Sequence, residues 1–162
     1  MSDARPIGVF DSGVGGVSVL RELVRQLPRE RFIYYGDNKN APYGTRSEEE
    51  IRALSLDVAN WLLGRNIKAM LVACNTATSA AIQTLRERLS IPVVGMEPAL
   101  KPAYELHAEG KILVLATPAT LRQAKFHRLY ARYGEHAVAL PCPELVEFVE
   151  SGRCEGDEID AY

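Results

Sequence analysis

The sequence predicts an α/β fold, with a mostly parallel sheet flanked by helices, and two observations carry that expectation. Short apolar runs of strand length alternate with longer segments whose apolar residues recur at helical spacing. Glycine, proline, serine and threonine stand at most of the junctions, where turns and helix caps need them. Strands alternating with helices imply right-handed crossovers, and ligands are then expected at the carboxyl ends of the strands.

Taken in order, Ile7-Gly8-Val9-Phe10 reads as the first strand, Asp11 to Gly16 as a glycine turn, and Val17 to Leu27 as an amphipathic helix. Phe32 to Tyr35 is the second strand, followed by a polar loop from Gly36 to Arg46. Ser47 and Glu50 have the spacing of a capping box, so a helix starts there, carries Ile51, Leu54, Val58, Trp61 and Leu62 on one face, and stops at Gly64. Ala69 to Val72 is the third strand, and Ile82, Leu85 and Leu89 mark the helix behind it. Pro92 to Met96 is the fourth strand; Pro98 suits the first turn of the next helix, which Pro102 is expected to trim or kink. Lys111 to Ala116 is the fifth strand, and Thr117 and Pro118 cap and open a helix expected to run to Tyr133. His136 to Leu140 makes a sixth strand, and Pro143 to Val149 a short helix ended by Gly152.

Ile7 to Ser12 and Ile112 to Thr117 share a strand pattern ending in a hydroxyl residue and leading into a helix. The chain therefore reads as a first α/β domain at 1–98 and the incomplete beginning of a similar one at 99–162. In that second copy the counterpart of Cys74 falls beyond Tyr162.

The totals restrict the function classes. Apolar residues make up 47% of the 162 residues and charged residues 25%, the balance of a globular chain. A net charge of −2 supplies no general attraction to nucleic acid or anionic membrane, and neither is expected as a partner. The amino terminus from Met1 to Pro6 lacks the basic-then-apolar pattern of a leader, and no apolar run approaches membrane-spanning length, so a cytoplasmic location is expected. Cys74, Cys142 and Cys154 are too widely spaced for a disulfide framework or a CxxC site, and His107, His127 and His136 show no ligand spacing; no metal is expected.

Cys74 stands where the third strand meets an alanine-rich helix. A helix N-terminus offers free N–H groups and partial positive charge, which favour a thiolate. Cysteine is commonly just a small buried hydrophobe, but Asn75, Thr76 and Thr78 beside it are polar groups that a core cysteine does not require. Cys142, between two prolines, and Cys154, in a charged stretch, lack such a setting and read as structural or incidental. Asp11 and Ser12 end the first strand and are expected to reach the same cleft, where a carboxylate orients an ammonium group and a hydroxyl holds a carboxylate. The glycines behind them have neither Walker nor dinucleotide spacing. Tyr43 and Gly44, in a proline-glycine turn, lie on the same rim, and Thr117 and Thr120 serve at least as helix caps.

Gly8-Val9-Phe10-Asp11-Ser12-Gly13-Val14-Gly15-Gly16, Tyr35-Gly36-Asp37, Pro42-Tyr43-Gly44, Val72-Ala73-Cys74-Asn75-Thr76-Ala77-Thr78, Glu97-Pro98-Ala99 and the Thr117/Thr120 pair occur here in one order. In these motifs the chain resembles the glutamate racemases of the cofactor-independent aspartate/glutamate racemase superfamily. The resemblance implies two similar Rossmann-like domains with the active site between them, and interconversion of L- and D-glutamate for peptidoglycan synthesis without a cofactor. It implies that Cys74 is one of two acid/base cysteines, and that Asp11 and Ser12 contact the amino group and assist proton transfer. Tyr43, Gly44, Asn75 and Thr76 match substrate-holding positions, and Thr117 and Thr120 match hydroxyls from the second half. Family members are often homodimers.

The family's second cysteine belongs to a Gly-Cys-Thr-His motif that these residues do not contain. The chain is accordingly expected to be the amino-terminal part of a racemase and inactive, or nearly so, by itself. Two other readings stay open: a racemase of aspartate or another small amino acid, and a non-catalytic module that keeps half a site.

Overall fold

The computed structural model describes residues 3–162; Met1 and Ser2, where the leader pattern was sought, lie outside them. Four parallel strands, β1 (Ile7–Asp11), β2 (Phe32–Gly36), β3 (Ala69–Val72) and β4 (Val93–Gly95), form one sheet in the order β2-β1-β3-β4. Helices α1 (Gly16–Gln26), α2 (Glu48–Leu63) and α3 (Asn75–Arg88) make the crossovers. From β1 the chain steps to one side, and from β2 it crosses to the other. The strand order therefore reverses between β1 and β3, whose carboxyl ends diverge into a crevice, the place where α/β sheets bind ligands.

The core lies between this sheet and helices α2 and α3. Phe10, Val72, Ile51, Leu62 and Leu85 are each fully buried there, contributed by strand alternation and by the helical spacing of the apolar residues. Ser47 and Glu50 form the expected capping box: Ser47 Oγ accepts from the Glu50 N–H at 3.2 Å and Glu50 Oε2 from the Ser47 N–H at 2.9 Å. The helix stops before Gly64 as expected, although the left-handed residue behind it is Asn66, at φ 56°.

Past β4 come α4 (Leu100–Leu106), β5 (Ile112–Ala116), α5 (Pro118–Arg122), α6 (Ala124–Tyr133), β6 (Ala137–Pro141), α7 (Leu145–Glu150) and α8 (Asp157–Asp160). Strands β5 and β6 pair in parallel as a separate two-stranded sheet. Val114, Leu100 and Phe126 form a second, smaller buried cluster on one face of it. On the other face Leu113 lies beside Val138 and Leu115 beside Leu140, and all four are exposed, Leu113 to 61% and Leu115 to 55%.

Several boundaries differ from the sequence expectation. Pro98 precedes the helix, which opens at Leu100. Pro102 is its third residue, where the missing N–H is one that no helix turn needs, so it neither trims nor kinks the helix. The helix expected from Pro118 to Tyr133 is two helices parted by Gln123, whose backbone is extended at ψ 137°. The break serves two cores: Ala119 packs into the larger cluster and Phe126 into the smaller. The short helix runs from Leu145 to Glu150 rather than from Pro143, and α8 had no apolar pattern to announce it. Among the described residues no helix is long and apolar enough to cross a membrane, and no group of three or more potential metal ligands occurs.

Candidate active site

A cleft of about 640 Å³ opens at the crevice between β1 and β3 and extends to β5, α5 and α7. The candidate catalytic and substrate-holding residues all line it: Asp11, Ser12, Tyr43, Gly44, Cys74, Asn75, Thr76, Thr117 and Thr120; Thr78 is instead buried, donating to the Val72 carbonyl at 3.2 Å.

Cys74 is the N-cap of α3, 7% exposed, and its Sγ accepts from the Ala77 N–H at 3.4 Å. Ser12 Oγ, at the end of β1, lies 3.3 Å from the same sulfur. The helix-end effect expected from the sequence is present but opposed. Burial pushes the thiol pKa up and the nearby Asp11 carboxylate adds to this, outweighing the bonds from Ser12 and Ala77 that favour the anion. Opposing effects thus act on the Cys74 proton, and positive charge brought into the cleft shifts the balance toward the thiolate.

Asp11 is 7% exposed. Its Oδ2 accepts from the Gly13 and Gly16 N–H groups, both at 3.1 Å, so one oxygen of the carboxylate holds the turn that opens α1. Thr117 N-caps α5, Pro118 opens it, and Thr117 Oγ1 accepts from the Thr120 N–H at 3.3 Å. The hydroxyls of Thr76, Thr117 and Thr120 form a closed triangle with edges of 3.0, 3.1 and 3.2 Å, joining α3 to α5 across the cleft. Gly44 stands in a 3-10 turn (Tyr43–Thr45) directly against Thr117, where a Cβ would lie 2.8 Å from Thr117 Cγ2. Asn75 is the first residue of α3 and is exposed.

Tyr43 differs from what its rim position suggests. Its side chain is 1% exposed, its ring meets Phe10 edge-on at 6.1 Å, and its phenol donates to Asp37 Oδ2 at 2.7 Å. Burial and that bond raise its pKa strongly, so the hydroxyl stays with Asp37.

Four features in or beside the cleft escaped the sequence; of these Cys142 and Glu150 line it. Asp37 was visible in a motif but carried no sign of its bond to Tyr43. Tyr34 donates to the Gly13 carbonyl at 2.7 Å, and its phenol is pushed up to about 12 by burial, with Asp11, Cys74 and Glu150 adding to it. Cys142, read as incidental, lines the cleft, with its Sγ directed to the Leu140 carbonyl at 3.6 Å. Glu150, from α7, lies over the glycine turn: a Cβ at Gly13 would sit 1.6 Å from its Oε1. The contacts of Tyr34 and Glu150 with the glycine turn join segments far apart in sequence, for which no local pattern exists, whereas the Asp37–Tyr43 bond is local and lies within the quoted motifs.

Known proteins match this arrangement. A family model described as Asp/Glu/Hydantoin racemase matches residues 7–161. The glutamate racemase of Clostridium acetobutylicum is 59% identical over 160 residues, which are 97% of this chain and 62% of that protein. The crystal structure of Escherichia coli glutamate racemase with L-glutamate and the activator UDP-MurNAc-ala superposes with a TM-score of 0.87 at 38% identity, covering 97% of this chain and 61% of that one. That of Thermus thermophilus glutamate racemase with β-chloro-D-alanine gives 0.76 at 45% identity, covering 92% and 56%. The chain spans about 62% of the length of the curated relatives it matches. With its motifs, its strand-end cleft and a family match over nearly all its residues in agreement, the chain belongs to the Asp/Glu/hydantoin racemase family.

Proposed function

We propose that the chain carries one half of a cofactor-independent glutamate racemase site, acting on L- and D-glutamate for cell-wall peptidoglycan in the cytoplasm. The observation that carries this reading is the buried Cys74 sulfur, 3.3 Å from Ser12 Oγ, at the head of a cleft whose other wall presents the hydroxyls of Thr117 and Thr120. The L- and D-glutamate bound in similar glutamate racemase structures support the substrate.

In this mechanism the substrate ammonium group lies near Asp11. Its positive charge offsets the burial that disfavours the thiolate, and the thiol passes its proton to the Asp11 carboxylate once substrate is in place: the S–H bond breaks and a carboxyl O–H forms. The thiolate then takes the α-proton of one enantiomer: the Cα–H bond breaks, an S–H bond forms, and the electron pair remains on Cα. Hydrogen bonds from Asn75, Thr76, Thr117 and Thr120 to the carboxylates stabilise that charge in a water-poor cleft. A proton delivered from the opposite face forms the new Cα–H bond and inverts the centre. In the family that second proton comes from a cysteine in a motif these 162 residues lack, so this chain alone is assigned exchange without inversion. The segments 1–98 and 99–162 act as the two walls of the site, and a homodimer is the proposed assembly.

Incubation of the chain with each glutamate enantiomer in deuterium oxide tests this. Deuterium should enter the α-position of one enantiomer while optical rotation stays constant, and Cys74→Ser should abolish the incorporation. Incorporation that survives Cys74→Ser, or calorimetric binding of aspartate but of neither glutamate, would overturn the reading.

A further inference from the structure

Asp37, directly after β2, is 4% exposed, and its backbone and carboxylate are fully engaged. Its N–H donates to the Asp11 carbonyl at 2.9 Å, which ties it to the strand end bearing Asp11 and Ser12. Its carbonyl accepts from the N–H groups of Asn40 and Ala41, at 3.0 and 3.1 Å. Its carboxylate takes the Tyr43 phenol at 2.7 Å and Asn40 Nδ2 at 3.0 Å to each oxygen. Arg46 closes the loop by donating through Nε to the Asn40 carbonyl at 2.8 Å.

Asp37 does not itself line the cleft, whereas Pro42, Tyr43 and Gly44 do. Hydrogen bonds to a charged group are stronger than neutral ones, and removing one partner leaves the other buried and unsatisfied. The bond therefore consumes the Tyr43 hydroxyl and fixes the height of the turn that presses Gly44 against Thr117.

We propose that Asp37 is a positioning residue, which sets Tyr43 and through it the turn at residues 42–44 against the cleft. It acts on the strand end and the turn together, so the two rims carrying Ser12 and Gly44 move as one body.

Backbone hydrogen exchange of the 162-residue chain reads the turn without any ligand. Asp37→Asn and Tyr43→Phe should each speed exchange over residues 40–46 by about tenfold, the loss of one charge-assisted bond, with β1 and β3 unchanged. The double variant should fall short of the sum of the single ones, because both act on the 37–43 contact, while Asp37→Asn also weakens the bonds from Asn40 Nδ2. Tyr43→Phe keeps the ring and carries the test if Asp37→Asn does not fold. Unchanged exchange at 40–46, equal acceleration along the whole chain, or additive effects in the double variant would each overturn the assignment.

A second readout rests on the glutamate reading of the cleft. Either substitution should raise the D-glutamate dissociation constant, measured by titration calorimetry, by about tenfold. An affinity untouched by both would overturn the link to the cleft. If the unsubstituted chain takes up no glutamate, the glutamate reading falls while the exchange result still decides the role of Asp37.

Discussion

At Cys74 the end of a helix and the surrounding burial act in opposite directions on one proton. The Ala77 N–H favours the thiolate, while burial and the Asp11 carboxylate favour the thiol and prevail. Alkylation by iodoacetamide, which consumes thiolate, should therefore show a pH midpoint for Cys74 above that of an unburied thiol, with reactivity growing as pH rises. Asp11→Asn removes one of the two effects that raise the pKa and keeps an oxygen for the Gly13 and Gly16 N–H groups. Its midpoint should fall below that of the unaltered chain, followed by peptide mass spectrometry of the Cys74 adduct. An unchanged midpoint would remove Asp11 from the electrostatics of the site.

Among the elements, the 3-10 turn at Tyr43 and the start of α5 meet with little room to spare. Gly44→Ala places a methyl carbon 2.8 Å from Thr117 Cγ2 and 2.9 Å from its Cβ, so the turn or the helix must move. The expected loss is about 1–3 kcal/mol in denaturant unfolding, with weakened glutamate uptake. The strands and most helices were legible in the sequence because each is announced locally: β3 by four apolar residues, α2 by its capping box, α5 by Thr117 and Pro118. The crevice was legible too, since alternating strands and helices force a site to the strand ends. What stayed hidden depends on where distant segments arrive. The break at Gln123 follows from two helices serving two cores, the cleft position of Glu150 from how α7 is docked, and that of Cys142 from the end of β6, where its N–H donates to the Ala116 carbonyl at 2.9 Å. The turn position brought Tyr43 to the cleft, but its bond to Asp37 was not legible.

For the whole molecule, the two sheets are unequal. The four-stranded sheet packs against helices that bury Phe10, Ile51 and Leu62 completely, whereas the β5–β6 sheet leaves Leu113, Leu115, Val138 and Leu140 in water on one face. Parallel sheets are ordinarily covered on both faces, so this one departs from its class. The consequence belongs to calorimetry. Unfolding raises heat capacity in proportion to the apolar surface newly wetted, and a chain of 162 residues ordinarily gives about 2 kcal/mol/K. Side chains already wetted in the folded state add nothing to that change. Scanning calorimetry should accordingly return a smaller increment than chain length alone dictates, and a full-sized increment would mean that this face is covered in solution. A shallower heat-capacity step also flattens the stability curve, so this chain should lose stability more slowly on cooling than a fully covered chain of its length with the same melting point and enthalpy.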